Sequence, residues 1–190
     1  MRRAIRSIVG IALLAALVFG VVMIYRFTNG FNEDFKTFYL INGGERIVAA
    51  ESVMTFERGA ENEFGVRYTF DTKKSQAKDY NVRIIPNGKA DFEYYVEGRK
   101  TAWKGEKDLT KLFSVKKAEK SFTLTVAADT TFERLLQEYY AGKELDVGGA
   151  AEYEAENPYL YDLVVSSYND GVVYHIRFAI AEGGGDESNT

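Results

Sequence analysis

Hydrophobic positions fall into two regimes along this 190-residue chain. From Ser7 to Tyr25 (SIVGIALLAALVFGVVMIY), 19 residues pass without a charge, whereas from Phe35 onward apolar and polar residues alternate in short runs broken by turn residues. The first regime predicts a membrane-crossing helix: at ~1.5 Å of rise per residue it reaches roughly 29 Å, against a hydrocarbon core of roughly 30 Å. Eleven of the 19 residues are Ile, Leu, Val or Phe, which together supply very roughly −3 to −7 kcal/mol towards insertion. A cleaved signal peptide is the rival, but its apolar region is usually about 7 to 15 residues and ends at small side chains. This run ends in Val21, Val22, Met23, Ile24 and Tyr25, so retention as a signal anchor is expected.

The second regime predicts strands. FKTFYLI runs into Asn42-Gly43, a dipeptide suited to a two-residue hairpin, and GERIVAAE follows. SVMTFE and FGVRYTFD flank Arg58 to Glu63, with Val66, Tyr68 and Phe70 on one face and Arg67, Thr69 and Asp71 on the other. YNVRII ends at Pro86-Asn87-Gly88, and ADFEYYV closes at Glu97-Gly98 to give a further pair, with Trp103 just beyond. Asp108 caps a brief helical turn through Leu109 to Phe113, and SFTLTVA reads as a strand. Thr130 with Glu133 forms a capping box for a helix whose apolar face is Phe132, Leu135, Leu136 and Tyr139 and which Gly142 ends. Residues 144–157 read as an acidic loop, and YLYDLVVSSY and VVYHIRFAIA flank Asn169-Asp170-Gly171 as a hairpin. The expected architecture is mainly β: an N-terminal transmembrane helix followed by an antiparallel β-sandwich with one interposed helix, or alternatively a small antiparallel barrel.

Charge orients these parts. Arg2, Arg3 and Arg6 precede the apolar run, while Arg26 is soon followed by Glu33 and Asp34. The positive-inside rule therefore predicts a cytoplasmic N-terminus and an extracytoplasmic remainder. The expected division is a cytoplasmic tail (1–6), the anchor (7–25), a short stalk (26–35), an exported domain (36–181) and a disordered tail (182–190). Residues 1–26 hold four arginines and no acid, so a formal charge of −4 for the chain leaves −8 beyond them. That balance argues against nucleic acid as a partner. There is no cysteine, which removes disulfides, thiol nucleophiles and zinc–thiolate sites, and fits a bacterial envelope better than a eukaryotic secretory route.

Candidate chemistry is sparse. His175 is the one histidine and alternates onto the wetter face of the last strand with Arg177 and Ala179, without the partners a catalytic triad needs. Asp146, Glu152, Glu154 and Glu156 are dense but lack the spacing of a calcium loop, so neither a metal nor a cofactor is expected. Tyrosines gather late in the chain, and Tyr153, Tyr159 and Tyr161 are the candidate recognition residues, tyrosine pairing rigid area with a hydroxyl. Ala12, Ala16 and Gly20 recur every four residues and form a small-residue face on which a second anchor helix could pack, making a homo-oligomer. The sequence therefore points to a non-enzymatic docking or assembly component of the cell envelope that binds another envelope or membrane protein. The alternative is a surface module that captures a peptide or saccharide through exposed aromatics, and a tethered hydrolase stands behind both.

Overall fold

The computed structural model describes residues 2–28, 38–49, 51–69, 80–88, 91–105, 107–167 and 173–182, with side chains in the first of these segments from 10 to 24. The stalk over 29–35, Phe70 and Asp71, the 169–171 turn and the 183–190 tail lie outside the described residues. The chain divides into two units, 1–37 and 38–190.

The first unit is a helix, α1 (Arg2–Thr28), which takes in the expected tail and anchor and the first three residues assigned to the stalk. Among the described residues no helix is long and apolar enough to cross a membrane. The structure thus lends the expected transmembrane span no support beyond a helix at the right place. Ala12 and Ala16 are exposed on α1 and Gly20 half-buried, with open space beside Gly20.

The second unit is mainly β, in three sheets. Strands β1 (Phe38–Asn42), β2 (Glu45–Ile47), β4 (Glu61–Tyr68), β8 (Ser114–Lys117) and β9 (Ser121–Thr125) make a five-stranded sheet ordered β2-β1-β4-β9-β8. Strands β3 (Glu51–Glu57), β5 (Tyr80–Pro86), β11 (Tyr161–Ser167) and β12 (Val173–Ala181) make a four-stranded sheet ordered β3-β12-β11-β5. Strands β6 (Glu93–Val96), β7 (Arg99–Ala102) and β10 (Leu145–Asp146) form the third, ordered β10-β6-β7. Each sheet keeps two edge strands, so none closes into the alternative barrel.

The two larger sheets meet through aromatic rings. Phe56 of β3 stands edge-on to Phe64 of β4 (6.0 Å between centroids), Phe38 of β1 meets Tyr174 of β12 (5.9 Å), and Tyr80 of β5 meets Phe122 of β9 (6.2 Å). Buried aromatics supply large apolar area and prefer such tilted contacts. The third sheet shares a second cluster with two helices, α2 (Phe132–Tyr139) and α3 (Ala150–Glu156), where Phe132 contacts Phe92, Trp103 and Tyr153.

Several expectations shift by a residue or a partner. The first hairpin turns on Gly43-Gly44, not Asn42-Gly43: both glycines have φ near +57° and +86°, as a two-residue hairpin turn demands, and Asn42 stays in the ladder opposite Glu45. Thr131, not Thr130, caps α2 by accepting the Arg134 N–H (3.2 Å), and Thr130 is buried. The expected acidic loop contains α3, a second interposed α-helix among the described residues where one is expected. Pro86-Asn87-Gly88 turns no hairpin, because β5 pairs β11 while β6 pairs β7 across Glu97-Gly98. β12 pairs β3 in parallel, an arrangement made possible by the long stretch of chain between them. Ala179, placed on the wet face by alternation, is buried near the end of β12.

Candidate functional site

Strand β3 offers backbone rather than side-chain chemistry. Its ladder with β12 runs without interruption from Glu51–His175 to Glu57–Ala181, and the Arg58 N–H continues it by donating to Ala181 O at 3.0 Å. Backbone direction alternates along a strand, so residues 52, 54 and 56 turn towards β12 while 51, 53, 55 and 57 turn outward. Among the described residues the outward groups meet one partner, the Ala60 N–H that donates to Glu57 O at 3.2 Å. The side chains of the same four residues are exposed, Val53 at 59%. Val48, just before the strand, is 58% exposed. Glu51 and Glu57 close the two ends, neither in an ion pair among the described residues.

The outer face of the same sheet holds two shallow clefts that share Arg177. One, of about 270 Å³, is lined by Asn87, Tyr153, Glu156, Asn157, Pro158, Tyr159, Leu160 and Arg177. The other, of about 310 Å³, is lined by Glu51, Ser52, Val53, Asp162, His175 and Arg177. Arg177 is half-buried and its Nε has no hydrogen-bond partner among the described residues. A planar guanidinium held this way is a ready donor to a carboxylate or a carbonyl.

A third cleft, of about 410 Å³, contains a built ion cluster. Arg58 bonds Thr130 O through Nε, reaches Glu182 Oε1 at 2.8 Å and Glu154 Oε1 at 3.6 Å. Glu154 Oε2 accepts the N–H of Phe132, the first residue of α2, at 3.1 Å. Burial pushes the Glu154 carboxyl up, with the Phe132 amide and Arg58 pulling the other way. The cluster ties α2, α3 and the end of β12 to the turn after β3. Thr131 is the one hydroxyl lining this cleft, and it is engaged as the cap of α2.

The sequence candidates scatter across this geometry. Tyr159 is exposed at 42% and lines the first cleft with Tyr153, whose ring packs on Phe92 (4.7 Å) and whose hydroxyl lies 3.3 Å from Asp91 Oδ1. Tyr161 is a correction: it is fully buried, stacked on Phe178 at 5.3 Å and edge-on to Phe113 at 5.7 Å. β11 begins at Tyr161 and its odd positions face the core. Its hydroxyl has no hydrogen-bond partner among the described residues, and burial holds it well above the usual tyrosine range. Asp146, Glu152, Glu154 and Glu156 do not converge, and no metal-holding group of acids and histidine occurs among the described residues. His175 is exposed, directly across from Glu51.

Sequence reasoning missed β3 as an edge. Its pattern, SVMTFE, reads as an ordinary strand, and only the pairing with β12 from the far end of the chain leaves its other side open. Searched against known proteins, the chain matches no family model and no curated protein.

Proposed function

We propose that this chain is a single-pass, membrane-anchored component of the bacterial cell envelope whose extracytoplasmic β domain acts by docking to another envelope protein, without catalysis. The observation that carries the docking is β3, a seven-residue edge whose outward N–H and C=O groups stand ready to pair with an incoming strand. The anchor rests on the 19-residue uncharged run and the arginines before it. The test is co-purification from detergent-solubilised membranes with wild-type chain and with Thr55→Pro, which removes an outward N–H without touching the β12 ladder. A stoichiometric partner lost on that substitution supports the reading, and recovery unchanged by it ends docking at β3.

A second reading, capture of a peptide or saccharide, draws on the cleft where Tyr153, Tyr159, Asn157 and Glu156 surround the unpartnered Arg177 Nε. Such a rim supplies donors, acceptors and an aromatic face together. It predicts that Tyr159→Ala or Arg177→Ala weakens ligand recovery more than tenfold, about 1.4 kcal/mol, with Thr55→Pro silent.

A further inference from the structure

We infer that the strand taken up at β3 is an extended segment of a different protein, carrying a basic residue at each end of a seven-residue stretch with β-branched residues between, and is not a second copy of this chain. The inference deepens the docking reading and rests on it.

The outward positions of β3 read Glu51, Val53, Thr55 and Glu57. A strand added alongside places a side chain within about 4.5–5.5 Å of each, close enough for opposite charges to attract and like charges to repel. The two glutamates stand six residues apart with no ion pair among the described residues, so Lys or Arg at the first and seventh positions of the incoming segment satisfies both. Because the charges sit symmetrically, the segment meets them whether it enters parallel or antiparallel. Between them Val53 and Thr55 call for β-branched neighbours, which pack well on a pleated surface. On the other face Met54 is half-buried, its sulfur 3.7 Å from Asn42 Nδ2, and an apolar residue at the fourth position lies beside it.

The same charges work against self-association. Full-length antiparallel pairing of two β3 strands places Glu51 across from Glu57 of the other copy twice. A shift that separates the glutamates shortens the paired stretch. The charge of −8 beyond residue 26 repels a second copy over longer range and attracts a basic segment.

Two fluorescently labelled, end-blocked peptides test this, Lys-Thr-Val-Ile-Val-Thr-Lys and Glu-Thr-Val-Ile-Val-Thr-Glu, titrated by anisotropy against the full chain in a neutral detergent at low salt. The lysine-ended peptide should bind at least tenfold tighter, and the advantage should shrink at ~1 M salt, where the screening length falls to about 3 Å. Glu51→Lys combined with Glu57→Lys, both on exposed side chains, should reverse the preference, and Thr55→Pro should abolish binding of either peptide. Equal affinities, no binding, or a preference that survives the double charge reversal overturns the inference. So does a chain that dimerises through β3 and loses the dimer on Thr55→Pro. If a membrane partner is lost on Thr55→Pro while the peptides bind equally, docking stands and the partner's charge pattern is wrong.

Discussion

The four-stranded sheet has two edges, and the chain treats them in opposite ways. At β5 the outward groups of Ile84 and the Tyr80 carbonyl are engaged: Ile84 O accepts the Leu109 N–H at 2.7 Å, the Ile84 N–H donates to Thr110 Oγ1 at 2.9 Å, and Lys117 reaches Tyr80 O. The Tyr80 hydroxyl lies 2.7 Å from both Ala118 O and Ser121 O, tying the covered edge to the neighbouring sheet. At β3 no comparable cover exists among the described residues. The remaining edges are short: two residues in β10, three in β2, and four each in β7 and β8, where Lys100, Lys116 and Lys117 add the charge that discourages pairing. Among the described residues length, exposed valine and unshielded backbone coincide at β3, and the proposed docking rests on that coincidence.

The largest expected effect falls on both edges at once. Phe178, on the strand next to β3, is fully buried against Phe56 (5.0 Å), Phe113 (5.9 Å) and Tyr161 (5.3 Å). Phe178→Ala should cost about 3 to 5 kcal/mol by urea unfolding, and a loss below ~1 kcal/mol would mean the sheets do not pack through this ring.

The contrast itself is tested next. Thr110→Val deletes the acceptor of the Ile84 N–H and should cost about 1 to 3 kcal/mol, the penalty for stranding a covered backbone donor. Thr55→Pro removes an N–H that faces outward and should cost less than about 1 kcal/mol, since proline is tolerated on that side of an edge strand. Equal costs would erase the distinction between the two edges.

Much of this layout could be read from the chain, and the failures share a cause. The segments YLYDLVVSSY and VVYHIRFAIA read as two strands of one hairpin, and β11 and β12 within them pair antiparallel. Helical spacing puts Phe132, Leu135, Leu136 and Tyr139 on one apolar face of α2, and the first three are buried while Tyr139 is half-buried. Local signals of this kind survive because neighbours in sequence decide them. What was lost depends on distant chain: whether Tyr161 faces in or out, where β5 goes after Pro86, and that β3 is bordered by β12 on one side only. The acidic segment hid α3 because its charge suggested solvent, whereas Ala150 is buried and Glu154 turns inward to Phe132 and Arg58. No periodicity over seven residues, just under two helical turns, announces that.

The turn that closes β3 gives a smaller, pH-dependent effect. Burial raises the Glu154 carboxyl above its ordinary value, with the Phe132 amide and Arg58 opposing. A raised folded-state value means that Glu154 contributes stability below its unfolded value of 4.5, and that this contribution fades as pH rises through the raised one. Glu154→Gln keeps an acceptor for the Phe132 N–H and has no such titration. The stability of the wild-type chain relative to this variant should therefore decline from acid towards neutral pH in urea melts. A difference that grows with pH would show that Arg58 governs the carboxyl more than burial does.

The smallest effect separates edge from face. His175 lies directly across from Glu51, one strand inward, with its side chain exposed and no hydrogen bond or ion pair among the described residues. An exposed strand residue without partners rarely matters to folding, so His175→Ala should change stability by less than about 0.5 kcal/mol. It should also leave binding of the lysine-ended peptide intact, because the incoming strand borders β3 and not β12. Glu51→Ala, a single strand away, should weaken that peptide measurably. If His175→Ala weakens it as much, the ligand lies across the outer face of the sheet, in the clefts around Arg177, and the edge is bare for another reason. If His175→Ala instead removes a hydrolytic activity of the chain, docking is replaced by catalysis at that face.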